Sequence, residues 1–261
     1  PLFEFAPYET ALTSKLVDVA KFERLDLVHV HYAIPHASVA YMAKQILKQD
    51  GFNLPFITTL HGTDITLVGK NASYNPVVTF AINQSDAVTS VSQSLKDDTF
   101  RNFIVSKEIE VISNFVDLKR FSKLKKEHFK KAIAPANERV IIHASNFRPV
   151  KRISDVVAVF NRICSKLPAK LLMIGDGPER SRIEQECRES EFADHIRFLG
   201  KLEAVEEILS IGDLFVLPSE SESFGLSALE AMACQVPVIS SNTGGIPEVN
   251  INGVTGYMSN V

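Results

Sequence analysis

One short segment of the chain combines carboxylates with a glycine in a spacing that suits a sugar. PSESESFGLSALEAMA, residues 218–233, follows an apolar run and places Glu222 and Glu230 eight residues apart. One glutamate in a loop and one about a turn inside the next helix can both accept hydrogen bonds from vicinal hydroxyls. At a helix start the dipole also favours a phosphate. The backbone N–H groups expected there are those of Phe224, Gly225 and Leu226.

A second segment carries the cations that a diphosphate needs. Arg148 and Lys151 lie in SNFRPVKR, residues 145–152, which we expect to join a strand to a helix. Cations and free backbone N–H groups together suit a diphosphate, although ordinary exposed charges are the plain alternative. Acids for hydroxyls and cations for phosphates together predict a site for a nucleotide sugar.

Two glycine-containing loops flank these segments in the expected fold. Gly175 opens GDGPE, which alone is a common turn into a helix and a weak indication of ligand contact. Gly244 and Gly245 in NTGGIPE leave room for an anion or a sugar to approach bare N–H groups. We therefore count both loops among the candidate ligand-binding segments.

The sequence offers little for a metal ion or another cofactor. No two aspartates have the D-x-D spacing of a metal motif, so we expect no obligatory Mg²⁺ and no cofactor. His29 and His31 share one face of a predicted strand, but no cysteine or third placed ligand accompanies them. His143 lies within an apolar strand, where a hydrogen-bonded core histidine is the favoured interpretation.

Short apolar runs alternate with longer amphipathic runs along almost the whole chain. Strands buried on both faces and separated by helices imply parallel sheets in βαβ units. The polar loops fall at the carboxyl ends of these strands, where open α/β sheets bind ligands. The predicted strands are 25–30, 55–59, 87–90, 110–112, 140–143, 170–174, 196–198, 214–217 and 237–239. The predicted helices are 8–22, 37–48, 76–83, 92–102, 153–165, 179–188, 204–210 and 226–234.

One basic stretch interrupts this alternation. Seven lysines and arginines fall between Lys119 and Lys131. We interpret 116–137 as a solvated connector with some helix between domains over 1–115 and 138–261. The alternative is a basic amphipathic helix on an anionic membrane, helped by Phe121 and Phe129.

Composition and charge restrict the class of protein. The 261 residues carry a net charge of −3, with 45% hydrophobic and 23% charged residues. Nothing here favours binding to nucleic acid. No apolar run approaches the roughly 20 residues that span a bilayer, so we expect no stable membrane insertion. Three cysteines without CxxC spacing favour a reducing compartment, and hence the cytoplasm.

These segments resemble the family-4 retaining glycosyltransferases of GT-B type. ESFGLSALE is similar to their E-x7-E motif, FRPVK to their diphosphate loop, and GDGPE and GGIPE to their flanking loops. The resemblance covers nearly the whole chain. It implies two Rossmann-like parallel-sheet domains facing a cleft, the acceptor domain first and the donor domain second. The donor contacts that it implies are Asn146, Arg148, Lys151, Gly175, Glu222, Phe224, Gly225, Leu226 and Glu230.

Three segments narrow the resemblance within the family. HVHYAIPHA, TTLHGTDIT and SNFRPVKR are similar to the members that begin bacillithiol synthesis by transferring N-acetylglucosamine from UDP-N-acetylglucosamine to L-malate. The resemblance implies these two substrates. It also implies front-face displacement of UDP, with retention at the anomeric carbon and no metal ion.

The narrower resemblance also implies roles for individual residues. Glu230 would hold the ribose and Glu222 the hexose, while Lys151 would stabilise the departing diphosphate. His61 would contact the hexose near the reacting carbon, so the expected catalytic residues are His61, Lys151 and Glu222. The candidates for contact with malate are Tyr32 and Thr59.

The sequence departs from the family pattern in two ways. Asn146 stands where many members have an arginine, five residues before the diphosphate lysine. We also expect truncation at both ends, without the family's first strand, glycine-rich loop and C-terminal helices, which leaves the activity of this chain by itself open. A lipid or polysaccharide acceptor and a non-catalytic UDP-sugar-binding module remain alternatives, and a homo-oligomer stays open.

Overall fold

The chain folds into two α/β units, each built on a parallel sheet. They span Pro1–Ser113 and Asn114–Val261. The computed structural model describes residues 7–67, 71–124 and 127–260. Residues 1–6, and Lys125 and Lys126 of the basic stretch, lie outside the described residues. The prediction of two parallel-sheet α/β domains is confirmed.

The first unit contains a four-stranded sheet in the order β1-β2-β3-β4, in which all neighbours are parallel. Its strands are β1 (Val28–His31), β2 (Phe56–Leu60), β3 (Ala87–Ser90) and β4 (Ile109–Val111). Its helices are α1 (Tyr8–Glu23), α2 (Ser38–Gln49), α3 (Asn75–Gln84) and α4 (Gln93–Asn102). A turn over Ala33–Ala37, interrupted by the extended backbone of Ile34, follows β1, and a short π-helical turn over Thr63–Leu67 follows β2.

Local sequence explains where these helices begin and which face they bury. The Ser92 hydroxyl accepts from the Leu95 N–H at 3.0 Å and so caps the start of α4. In α2 the buried residues recur at helical spacing and form one apolar stripe. They are Val39, Ala40, Ala43 and Leu47. The stripe directs α2 onto the sheet.

The second unit contains a six-stranded parallel sheet in the order β10-β9-β8-β5-β6-β7. Its strands are β5 (Arg139–Ala144), β6 (Ala169–Ile174), β7 (Ile196–Gly200), β8 (Leu214–Leu217), β9 (Val238–Ser241) and β10 (Gly256–Ser259). Its helices are α5 (Glu127–Ile133), α6 (Ile153–Cys164), α7 (Arg180–Arg188), α8 (Val205–Leu209) and α9 (Leu226–Ala233).

Adjacent residues of one strand face opposite layers of this unit. Ile142 packs in a cluster with Phe215 and residues of α9, whereas Ile141 packs with residues of α6 and α7. This two-sided burial explains why the strands read as continuous apolar runs.

The strand order reverses beside β5. Strands β6 and β7 lie on one side of β5 in the sheet, and β8, β9 and β10 lie on the other side. Ligands of open α/β sheets bind beyond the carboxyl ends of the strands at such a reversal. The loops after β5 and β8 therefore lie where a ligand site is expected.

Most predicted elements agree with the structure to within three residues. Strand β10 was not predicted, because it is short and has few apolar residues. Helix α5 lies in the basic stretch, for which some helix was expected without bounds. No helix in the described ranges is long and apolar enough to cross a membrane.

The basic stretch differs from the solvated connector that we expected. Phe121 and Ile133 are only 7% and 8% exposed, and Phe129 packs against the same core cluster. The segment therefore packs as part of the second unit. The two phenylalanines suggested for membrane contact lie against protein instead.

Candidate functional site

The loop after β5 presents polar side chains on either side of a buried ring. Phe147 has no exposed surface and packs edge-on to Phe198, with ring centroids 6.3 Å apart. Its φ of 29° turns the chain sharply. Asn146 and Arg148 are both exposed. The ring therefore anchors the loop while the two polar side chains remain available to a ligand.

Gly175 supports this loop from the next strand. Its φ is +119°, and a Cβ on it would stand 1.8 Å from the Ser145 carbonyl oxygen. Its own N–H donates to the Gly200 carbonyl oxygen at 2.8 Å. Two backbones meet here, so only glycine fits. The geometry accounts for Gly175 as a support, and its contact with a donor stays a prediction.

Lys151 and Glu222 form an ion pair between the loops after β5 and β8. Lys151 Nζ lies 2.5 Å from Glu222 Oε2, and their side chains are only 16% and 14% exposed. Lys151 ends a short 3-10 turn directly before α6. The hydroxyl of Ser219 donates to the same Glu222 oxygen at 3.4 Å. The structure thus brings two of the predicted catalytic residues into direct contact.

Backbone contacts hold Glu222 in place. A Cβ on Gly244 would stand 1.9 Å from the Glu222 carbonyl oxygen, and the Gly245 N–H donates to that oxygen at 2.9 Å. On the other side, the Glu220 N–H donates to the Val150 carbonyl oxygen at 2.8 Å. The side of Gly244 and Gly245 that we expected to admit a ligand is filled by this loop. These glycines position Glu222 instead.

The start of α9 offers backbone donors beside this loop. Gly225 precedes α9 with a φ of +93°, a conformation that favours glycine. Phe224 is 5% exposed and Leu226 is 39% exposed. In the described part of the chain, no backbone carbonyl accepts from the N–H groups of these three residues. They are the unsatisfied donors expected at a helix start.

Glu230 lies further along α9 in different electrostatic surroundings. Burial raises the pKa of its carboxyl group, an effect that Arg120 opposes and Glu206 reinforces. Arg120 itself pairs with Glu206 at 3.0 Å. The two glutamates of the E-x7-E pattern thus have separate partners, because Glu222 pairs with Lys151.

His143 lies beneath the loop after β5 as a core residue. It has no exposed surface, its Nδ1–H donates to the Val216 carbonyl oxygen at 2.9 Å, and the Ser145 hydroxyl donates to Nε2 at 2.8 Å. Burial, with a contribution from the charge of Lys151, lowers its pKa to about 4. The prediction of a hydrogen-bonded core histidine is confirmed.

In the first unit, histidines gather at the carboxyl ends of β1 and β2. His31 Nδ1 and His61 Nε2 share a hydrogen bond of 2.7 Å. Burial lowers the pKa of both rings, and neighbouring histidines lower it further. The Tyr32 ring lies 5.1 Å from the His61 ring, measured between centroids. Tyr32 and His61, predicted separately, are therefore neighbours.

Thr59 is less available than we expected. It is 8% exposed, and its hydroxyl lies 2.7 Å from both His29 Nε2 and Thr89 Oγ1. Its carbonyl oxygen accepts from the Tyr32 N–H at 2.9 Å. Thr59 therefore supports its neighbours, and its contact with an acceptor stays a prediction.

Asp64 joins the loops after β1 and β2. Its carboxylate is buried and accepts from the Ala33 N–H at 2.7 Å and the Gly62 N–H at 3.0 Å. Burial raises its pKa, while these amide donors act in the opposite direction. The carboxylate fixes the turn that carries His61 against the turn that carries Tyr32. Within the described residues, no group of three or more His, Cys, Asp and Glu could hold a metal ion.

Two family models together match nearly the whole chain. The model of the glycosyl transferases group 1 family matches residues 125–260, and that of glycosyltransferase family 4 matches residues 1–120. The N-acetyl-alpha-D-glucosaminyl L-malate synthase of Bacillus anthracis is 47% identical over the whole chain, which spans 68% of that relative. The chain belongs to the group 1 glycosyltransferases. Two further proteins show how widely the likeness extends.

Glycogen synthase of Mycobacterium tuberculosis is 28% identical over 89% of the chain, which covers 56% of that enzyme. The crystal structure of Anabaena Alr3699/HepE in complex with UDP-glucose matches 98% of the chain and 70% of its own with a TM-score of 0.83 at 21% identity. At that identity the likeness shows the fold alone. The fold of this glycosyltransferase is therefore GT-B.

Sequence reasoning missed several residues that shape this glycosyltransferase. Arg120 was interpreted only as one of the cations of the basic stretch, yet it pairs with Glu206 of α8. Asp64 accepts from the N–H of Gly62, two residues before it, whereas the common aspartate turn uses an N–H two residues later, so the sequence carried no turn signal for it. His31 was considered for a metal, whereas its partner is His61.

Proposed function

We propose that this chain carries the donor and acceptor sites of a retaining, metal-independent glycosyltransferase. Its donor is UDP-N-acetylglucosamine and its acceptor is the hydroxyl of L-malate. The observation that carries the proposal is the Lys151–Glu222 pair at the strand-order reversal of the donor sheet. The relative of 47% identity, whose name gives this sugar and this acid, supports the choice of substrates.

The donor fits the groups of the second unit by charge. Lys151 and Arg148 supply cations for the diphosphate, and Asn146 and the unsatisfied amides of residues 224–226 supply uncharged donors. Glu222 accepts hydroxyls of the hexose once Lys151 has turned to the diphosphate. Glu230 accepts the ribose hydroxyls, and its raised pKa is consistent with a partly buried carboxyl.

Transfer in this proposal is a front-face displacement. The bond between the anomeric carbon and the UDP oxygen breaks while the acceptor hydroxyl attacks the same face of the sugar. The negative charge on UDP is stabilised by Lys151, Arg148 and the start of α9, as fixed charges and dipoles stabilise a leaving group. The departing phosphate takes the hydroxyl proton, so no protein base is needed.

The first unit contributes the acceptor side in this proposal. Tyr32 is 36% exposed and Thr59 lies beneath it, so Tyr32 contacts the acceptor and Thr59 supports the site. His61 contacts the hexose near the reacting carbon.

The direct test is release of UDP from UDP-N-acetylglucosamine with and without L-malate, with the product identified by mass spectrometry. Malate-dependent release with a GlcNAc-malate product is expected, and D-malate and glycerol serve as acceptor controls. UDP binding without malate-dependent release would exclude malate and direct the search to lipid or polysaccharide acceptors. Absence of UDP binding would overturn the donor site itself.

A further inference from the structure

The histidines of the first unit form one connected group, defined here as the histidine cluster: His29, His31, His36 and His61. His31 lies between two rings, 4.8 Å from His29 and 4.9 Å from His61 between centroids. The His36 Nδ1–H donates to the His31 carbonyl oxygen at 2.6 Å, and the Tyr8 hydroxyl donates to His36 Nε2 at 3.2 Å. His36 and His29 thus have polar partners. His31 Nδ1 and His61 Nε2 share a hydrogen bond, and the other nitrogen of each ring, His31 Nε2 and His61 Nδ1, has no partner among the described residues. These two atoms are called the outward nitrogens below.

The shared hydrogen bond restricts how the His31–His61 pair can carry protons. In the neutral pair one ring donates to the other, so one outward nitrogen carries a proton and the other carries a lone pair. One added proton keeps the shared bond and makes both outward nitrogens N–H donors with a single positive charge. A second added proton would place two donors face to face and break the bond.

Because the protonated pair carries one positive charge and has an N–H donor on each outward nitrogen, it can donate a charge-assisted hydrogen bond to an anion. We infer that the His31–His61 pair binds a carboxylate of the acceptor and takes up one proton as it does so. This inference rests on the proposed function, since it takes the acceptor to be an acid. It assigns to His31 a direct role in acceptor selection.

The surroundings of the pair support proton uptake on binding and not before. Burial lowers the pKa of both rings, with added contributions from His29 and His36 for His31 and from His31 and His29 for His61. The empty pair is therefore uncharged at neutral pH. A carboxylate in contact would raise the pKa and draw in a proton.

The other titratable groups near the pair do not replace this role. His29 of β1 is bonded to Thr59, and His36 of the following turn is bonded to Tyr8 and to the backbone. Asp64, after β2, is buried and accepts from backbone amides. Tyr32 is 36% exposed, and its ring lies 5.1 Å from that of His61 between centroids.

The test is calorimetry of L-malate and of succinate binding to the UDP-saturated protein at pH 7, in two buffers of different ionisation enthalpy. Succinate has both carboxylates and lacks the hydroxyl, so it reports the carboxylate site without turnover. The parent protein is expected to take up close to one proton per ligand. His31→Asn keeps a hydrogen-bonding group near the Nδ1 position and cannot titrate.

In His31→Asn we expect proton uptake to disappear and affinity for both acids to fall about tenfold, as for loss of a charge-assisted hydrogen bond. UDP affinity should be unchanged, which checks that the variant is folded. The matched control is His29→Gln, which keeps a group bonded to Thr59 and should keep the uptake.

Three outcomes separate this inference from the proposed function. Uptake with malate or succinate that is lost in His31→Asn supports the inference. Formation of GlcNAc-malate with no uptake, or with uptake unchanged in His31→Asn, overturns the inference and leaves the proposed function intact. If neither acid binds, the inference is overturned, and the product assay decides the proposed function separately.

Discussion

The two units hold their candidate groups in contrasting electrostatic states. In the second unit, Lys151 and Glu222 form an ion pair 2.5 Å apart that is mostly screened from solvent. In the first unit, His31 and His61 share a hydrogen bond of 2.7 Å, and the lowered pKa of each ring keeps the pair neutral at pH 7. The Lys151–Glu222 site holds two opposite charges before a ligand binds, whereas we infer that the His31–His61 site becomes charged only when a ligand binds.

This contrast follows from what each site must exchange. A diphosphate is always anionic, so a lysine whose charge is balanced by a glutamate can change partner without leaving a buried charge unpaired. In the proposed acceptor site, the carboxylate of the acid raises the pKa of the neutral histidine pair, and the pair takes up a proton as the acid binds. Under these two proposals we expect acceptor binding to depend on pH near neutrality through the His31–His61 pair.

The largest effect that separates the two sites is expected from Lys151→Ala. Turnover should fall on the order of 10²–10³-fold, because the charge that develops on the leaving diphosphate loses its nearest cation. Donor affinity should fall less, since the ground state carries less of that charge at the bond that breaks. Initial rates and UDP-N-acetylglucosamine affinity, measured on one preparation, would show the difference.

The matched control for that variant is Lys166→Ala, which removes an exposed lysine of the same unit. It should leave both turnover and donor affinity unchanged. Turnover that survives Lys151→Ala nearly intact would remove Lys151 from the diphosphate site and with it the comparison between a charged and a neutral site.

A second effect concerns stability, and it distinguishes a histidine that is structural from those of the histidine cluster. The pKa of buried His143 is about 4 in the folded protein, below the value near 6.5 expected in the unfolded chain. The unfolded state therefore binds more protons between these values, and stability falls as pH falls through this window. From pH 7 to pH 5 the loss of unfolding free energy from this residue is about 2 kcal/mol.

Urea unfolding at pH 7 and pH 5 measures that loss. His143→Asn should be less stable at pH 7, because a buried partner of Ser145 is lost, yet it should show a pH dependence smaller by about 2 kcal/mol. His128→Asn, at an exposed position in the same unit, should keep the parent's slope. An unchanged slope in His143→Asn would mean that this ring titrates normally.

The sequence was sufficient for the fold and for part of the site, for a physical reason. Strand and helix periodicity, and the placement of polar loops at strand ends, are local properties, so the elements and the candidate loops could be predicted. The contact of Lys151 with Glu222 joins loops 71 residues apart and depends on which strands are neighbours. The pattern placed each residue in a loop without showing that the two would touch.

The same limit explains the glycines and the histidine pair. Gly244 looked like a ligand-facing residue, because sequence does not show that another backbone occupies the space a Cβ would fill. At Gly175 the same crowding explains why the residue is glycine, while its contact with a donor stays a prediction. His31 ends β1 and His61 directly follows β2, so the register of these two strands decides that their rings meet. Residues that act through a distant partner are thus the ones that single-sequence reasoning leaves unassigned.

The smallest predicted effect tests whether Glu222 competes with the donor for Lys151. In Glu222→Gln the side chain remains and its charge is lost, so a diphosphate no longer has to displace an anion from Lys151. UDP affinity should rise by about threefold to tenfold, a modest gain typical of a partly exposed ion pair. The additional affinity of UDP-N-acetylglucosamine over UDP should shrink, because an amide accepts sugar hydroxyls less strongly than a carboxylate.

Glu220→Gln, two residues away and exposed, should change neither affinity. Weaker UDP binding in Glu222→Gln would mean that the pair supports the diphosphate site as built, and the donor unit would then be preorganised rather than poised to exchange partners.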